Sequence, residues 1–344
     1  PELTPEWTVF EDGSITARVR LEPIVTDSES LTESESAKLN LNAAPAPMLA
    51  RLAVLGDERA NAVRDLAAKG WITSVEDLRL VGLDPHDEAN TLGGVSLDAL
   101  ATAYSLDPDL SIGVADASSA GRQRVRWNAT DKSFDRRLGA DRAATDAIDQ
   151  LIAAGVDLSS AADVAGSLHR LGIAQTSWAG VWDQIGFGGD QPGREGLVDI
   201  SRAPEAVLSC IPGFEGKSVE IHEAASRLGA DRLRSPTWPL DSGIVNAAQM
   251  SRALPWVTTR SCHWRVRVVG EIVRAVDSSE DPKVLARSVL EAVVDCTSER
   301  ARVAYLRDVT FVGAADGIDS LLAQTIDITG GAPEMNPHFR ELVQ

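Results

Sequence analysis

The stretch from Cys262 to Val312 constrains this chain most, because one antiparallel register satisfies several kinds of side-chain pair at once. Folded back about Ser279, residues 262–274 lie against 284–296. Trp264 then faces Val294, Val266 faces Ala292, Val268 faces Leu290 and Ile272 faces Ala286. On the other face Arg267 meets Glu291, Glu271 meets Arg287 and His263 meets Asp295. One apolar face backed by complementary charges is how a half-buried antiparallel pair is stabilised. A turn at Thr297-Ser-Glu-Arg300 opens a third strand, with Val303 opposite Val294, Tyr305 opposite Ala292 and Arg302 facing Asp295. Leu290 opposite Arg307 is a mismatch in that register. The register also sets Cys262 opposite Cys296, a candidate disulfide. The rival is an amphipathic helix over 283–295, entered at Asp281-Pro282. Agreement among independent pair types favours the sheet. Its apolar face needs cover, from the helical middle of the chain, from a helix outside this chain, or from a partner.

Upstream, Trp7 to Arg20 reads as a β-hairpin turning at Asp12-Gly13. The acidic run Thr26–Ser36 reads as a solvated linker, or less simply as a cation-binding loop. From residue 38 the texture is helical, and one pattern recurs near 38–82, 124–172 and 197–240. Each copy opens with a short apolar run ending at Asn42 (after Asn40), Asn128 or Ser201, whose side chain is expected to cap the next helix. Pro45 and Pro204 are expected in the first helical turn, and Gly56, Gly139 and Gly213 between paired helices. The expected architecture is α+β: an antiparallel sheet of N- and C-terminal strands with a large inserted domain of helix-hairpin-helix-like repeats. The boundaries expected are 1–36 for hairpin and linker, 37–258 for the helical insertion, 259–328 for the sheet and 329–344 for a tail.

Chemistry is sparse. The 51 acidic against 33 basic residues give a net charge of −18, which repels phosphate backbones and is compatible with divalent cations. Three cysteines, Cys210, Cys262 and Cys296, are too few for a disulfide scaffold. The five histidines stand at no metal-ligand spacing, and neither a nucleophile elbow nor a phosphate-binding lysine loop occurs. Asp107-Pro-Asp109 with Asp116, the acidic run, and Asp277–Asp281 are carboxylate clusters without EF-hand spacing. No apolar run reaches the eighteen or so residues of a membrane helix. The expectation is a non-enzymatic protein.

Four segments carry a resemblance. Ser36-Ala-Lys-Leu-Asn-Leu-Asn-Ala-Ala-Pro45, Leu100–Ser105, Leu197–Gly213 with its Val-Asp-Ile-Ser and Ile-Pro-Gly, and Cys262–Gly270 are similar to segments of general secretion pathway protein K. That family comprises minor pseudopilins of bacterial type II secretion. The resemblance spans residues 5–312, and Ser201 and Trp127-Asn128 depart from the family pattern. It implies a pilin-like sheet split by a helical domain, and a place at the periplasmic pseudopilus tip beside other minor pseudopilins. It also implies contact with secreted substrate or secretion machinery, and bound Ca²⁺ whose ligands match no positions here. A membrane anchor is absent from this chain; anchorage in the inner membrane follows if a hydrophobic helix precedes it. Two rivals stand beside this reading. One is a helix-hairpin-helix nucleic-acid binder, opposed by carboxylates after each turn glycine, as in Gly213-Phe-Glu215. The other is a hydrolase with a divergent site.

Overall fold

The computed structural model describes residues 5–24, 30–87, 95–114, 117–128, 133–134, 142–187, 193–274, 283–298 and 300–310. Asp12-Gly13 makes the first turn, with Gly13 at a φ of 58° that suits glycine. It joins β1 (Glu6–Asp12) to β2 (Ile15–Glu22), with Trp7 across from Val19 and a bulge between Thr8 and Phe10. The bulge sets Trp7 and Phe10 opposite Val19 and Ala17, on one face.

A short strand β3 (Thr32–Ser34) follows, and the long strands come at the far end of the chain: β4 (His263–Arg274), β5 (Lys283–Asp295) and β6 (Arg302–Asp308). The sheet order is β1-β2-β4-β5-β6, with β3 also paired to β4. β2 and β4 are antiparallel, with Arg18 across from Glu271 and Ala17 across from Ile272. The fold is α+β with a mostly antiparallel sheet, and N- and C-terminal strands share it.

The hairpin register is as expected. The Cys296 N–H donates to the Cys262 carbonyl at 2.7 Å, Arg267 pairs with Glu291 at 2.7 Å, and β5 is a strand rather than the rival helix. The far end of the third strand is shifted by one residue from expectation. The Val309 N–H donates to the Val289 carbonyl at 2.8 Å, and Arg307 sits on Glu291 at 2.6 Å. There the slip replaces the Leu290–Arg307 mismatch with a charge pair, while Arg302 binds Asp295 at 2.7 Å as expected. The acidic run also differs from expectation. Its second half is β3 and a 3-10 turn with Glu35 and Ser36 buried, not a linker.

Between these strands the chain is helical. Three two-residue parallel pairings recur: Leu39–Asn40 with Ala101–Thr102, Val125–Arg126 with Ile185–Gly186, and Val198–Asp199 with Val257–Thr258. After the first pairing come α1 (Ala46–Leu49) and α2 (Gly56–Ala68). The middle stretch holds α3 (Arg142–Ala153), α4 (Ala161–Arg170) and α5 (Trp178–Gln184). The third pairing leads into α6 (Glu205–Cys210), α7 (Ser218–Arg227) and α8 (Ala247–Ala253). Hydrogen bonds match between the first and third stretches. Leu41 N–H donates to Thr102 O and Ile200 N–H to Thr258 O, at 2.8 and 3.1 Å. Asn42 N–H donates to Asn40 Oδ1 and Ser201 N–H to Asp199 Oδ1, at 2.8 and 3.0 Å.

By contact clustering the chain divides into two compact units. One comprises Pro1–Glu22, Arg267–Glu291 and Leu306–Gln344; the other comprises Pro23–Val266 and Ala292–Tyr305. The second unit contains a continuous apolar core running from Leu39 to Val257, including Leu49, Leu52, Val181, Leu208 and Phe214.

Candidate docking surface

Within the first unit the sheet is sorted into a charged and an apolar face, as strand alternation requires. On the charged face the guanidinium of Arg18 (β2) binds Glu271 (β4) at 2.8 Å and Glu6 (β1) at 3.5 Å. Arg287 (β5) reaches Glu271 at 3.7 Å and Glu22 at 3.1 Å. Glu291 (β5) is held by Arg267 (β4) and Arg307 (β6) at 2.7 and 2.6 Å. Signs therefore alternate from strand to strand. Burial pushes the Glu271 carboxyl up, but the Arg18 hydrogen bond and the Arg20 and Arg18 charges outweigh it and hold it low.

Burial follows the reverse of the usual pattern. On the charged face Glu271 and Glu291 are 5% and 3% exposed, and Val269, between them, is fully buried. On the apolar face Trp7, Phe10 and Ile272 are 52%, 55% and 42% exposed. The half-buried side chains of Arg18, Arg20, Arg267 and Arg307, each on Glu271 or Glu291, help close the charged face. Val19, Val268 and Leu290 are half-buried on the other. Large apolar side chains exposed together on one face set this face apart from the closed charged one.

The residues expected to cap helices do something else. Pro45 and Pro204 are themselves the caps of α1 and α6, one residue outside the helix, and neither end has a side-chain cap. Asn42 stands four residues before the first helical residue, out of capping reach; its side-chain amide donates to Ile72 O at 3.1 Å. Ser201 likewise stands three residues before the α6 cap and caps no helix. Asn40 and Asp199, two residues earlier at the ends of the strand pairings, make the turns instead. Gly56 opens α2 with a φ of 62°, and Gly213, at 95°, is so close to α8 that a Cβ would run into the Gln249 carbonyl oxygen. The Gly213 N–H is taken by Glu215 at 2.7 Å. Asn128 ends the strand Val125–Asn128, and Gly139 lies outside the described residues.

Carboxylates that the sequence marks only as clusters, Glu35, Asp107 and Asp109, are buried inside the second unit. Glu35 accepts from Lys38 at 3.1 Å, Arg265 at 2.8 Å and the Thr102 hydroxyl. Burial opposes its ionisation, yet the Lys38 and Arg265 charges and the Arg265 and Thr102 hydrogen bonds hold its pKa down at about 2. Asp107 likewise accepts from the Thr258 hydroxyl and from Arg260. Asp109 lies against Gly186, which has no hydroxyl to give its carboxylate. Arg126 stands 3.5 Å away in ion-pair contact. Burial pushes the Asp109 carboxyl up, and the Arg124 and Arg126 charges only partly offset it. The recurring Ala-Thr and Val-Thr after each helical stretch were the available signal for the first and third of these sites.

These arrangements do not fit a calcium ion. Asp107 and Asp109 face guanidinium groups, Glu33 and Glu35 are neutralised by Lys38, and no described group of three His, Cys, Asp or Glu is arranged to hold a metal. Asp116 and Asp277–Asp281 lie outside the described residues. A cavity of about 590 Å³ lies among Ser34, Lys38, Ala99, Arg202, Pro204 and Trp264. Lys38 Nζ there is fully engaged by Glu33, Glu35 and the Asp98 carbonyl, leaving no free base.

Fold and surface together define an α+β protein whose sheet, shared by N- and C-terminal strands, presents an open apolar face. No family model, no curated protein and no solved structure matches this chain.

Proposed function

We propose that this chain is a non-enzymatic, minor pseudopilin-like component of a bacterial type II secretion system. In this reading it acts on the periplasmic side of the envelope, assembling with other minor pseudopilins at the pseudopilus tip to support protein export. The observation that carries the reading is the sheet, with its exposed Trp7, Phe10 and Ile272 and with a helical stretch inserted between its first and last strands. In a pilin-like assembly that face receives an apolar helix, from a neighbouring subunit or from chain preceding Trp7. The matching bonds at Leu41 and Ile200 support reading the insertion as repeated helix-hairpin-helix-like units. Their use as a nucleic-acid clamp is disfavoured, because Glu215 occupies the Gly213 amide that would meet a phosphate and is itself paired with Arg51 at 3.0 Å. The described carboxylates give the proposal no calcium site.

Replacing both Phe10 and Ile272 by Glu tests the surface. The purified variant should keep its far-ultraviolet circular dichroism yet fail to co-elute with the soluble domains of its cell's other minor pseudopilins. Cells carrying it should lose export of type II cargo. Undiminished export and co-elution would defeat the proposal.

A further inference from the structure

The end of the β4–β5 hairpin away from its turn carries two thiols directly across from each other. Both Cys262 and Cys296 are free thiols here, Cys296 exposed and Cys262 half-buried. Their backbones are joined by the Cys296 N–H to Cys262 carbonyl bond of 2.7 Å. Residues directly opposite in an antiparallel pair send their side chains to the same face. A hydrogen-bonded pair of this type has Cα atoms about 5.5 Å apart, within the roughly 4.4–6.8 Å that disulfides span. Pairings one step further in hold the register: His263 lies 3.8 Å from Asp295, which Arg302 binds at 2.7 Å.

We propose that Cys262 and Cys296 are an intramolecular disulfide site, oxidised by thiol–disulfide exchange, that pins the open end of this hairpin. Cys210 is excluded from it by position: it is wholly buried in α6, with its thiol on the Ala206 carbonyl at 3.2 Å. The order of attack follows from exposure. Cys296 reaches solvent, so its thiolate attacks a disulfide oxidant such as oxidised glutathione, releasing one glutathione thiolate and leaving a mixed disulfide. The Cys262 sulfur, after losing its proton to solvent, attacks the Cys296 sulfur and releases the second glutathione. Two protein thiols and one oxidised glutathione thus become one protein disulfide and two reduced glutathiones. Burial pushes the Cys262 thiol up to about 11, so this second step gains rate with pH.

The bond rests on strand geometry, and its formation in the cell rests on the periplasmic reading, since disulfides persist in oxidising compartments. The folded, reduced full chain is incubated with oxidised glutathione at pH 8, alkylated in guanidinium and analysed by peptide mass. The expected product is a linked Cys262–Cys296 peptide with Cys210 alone alkylated. Cys210→Ala should bridge equally well, and Cys262→Ser should stop at glutathionylated Cys296. Bridging should lower the unfolding equilibrium constant on the order of a hundredfold relative to the reduced chain. Alkylation of all three cysteines, persistence of the mixed disulfide in the native sequence, or a dimer linked through Cys296 would each overturn the proposal. A bond that forms in vitro while the cellular protein stays reduced overturns the compartment and leaves the geometry standing.

Discussion

The first and middle parallel pairings have the same two-residue form, and the buried carboxylates beside them fare differently. Thr102 ends the first pairing and gives its hydroxyl to Glu35; Gly186 ends the middle one and gives Asp109 nothing. Glu35 also has Lys38 and Arg265 in direct contact, whereas Arg126 stands back from Asp109 at 3.5 Å. The outcome is a carboxyl held at about 2 in one place and pushed above its ordinary value in the other. Burial penalises ionisation at both sites. What differs is how many donors the fold points at the charge.

Glu35→Gln should be the most damaging change that tests this contrast. It removes the carboxylate that Lys38 and Arg265 share, leaving Lys38 to Glu33 and Arg265 to the more distant Asp98 at 3.9 Å, and should cost about 3 kcal/mol in chemical denaturation. The folded pKa of Glu35 lies below its ordinary 4.5, so its contribution is complete above that pH and fades as pH falls towards about 2. The variant's stability should therefore decline less steeply than the native chain's across that interval. A parallel decline would remove Glu35 from the account of acid lability.

Thr258→Val comes next. It deletes the hydroxyl that Asp107 accepts while Arg260 remains, and about 1–2 kcal/mol should be lost. If the loss matched that of Glu35→Gln, the hydroxyl rather than the cations would be the main support. Asp109→Asn should have the smallest effect, below about 1 kcal/mol at neutral pH, because burial opposes its charge and Arg126 stands back at 3.5 Å. Its raised pKa means that folding takes up a proton there, which favours the fold as pH falls. The Asn variant should accordingly lose stability slightly more steeply in acid, as thermal unfolding at stepped pH would show.

The same division between local and long-range causes decides what could be read from the chain. The N-terminal hairpin was legible because Asp12-Gly13 is a turn whose chemistry is complete within a few residues. The β4–β5 register was legible because Arg267–Glu291, Glu271–Arg287 and Cys262–Cys296 all demand it. The slip of β6 was signalled by the Leu290–Arg307 mismatch, but which partner Arg307 takes instead is settled by the ladder, through Val309 and Val289. Helix capping was misplaced at Asn42 and Ser201 because composition marks a turn without stating where the following helix begins.

By itself the sequence determined strand alternation, the complementary pairing of the C-terminal hairpin and the sites of the turns, because each depends on neighbours along the chain or on one facing strand. Only the tertiary structure decided that the charged face of the sheet is closed and the apolar face open. It alone brought Glu35 to Thr102 and Arg265, and left Asp109 beside a glycine. Burial and charge compensation depend on groups that lie far apart in the chain and meet only when it folds.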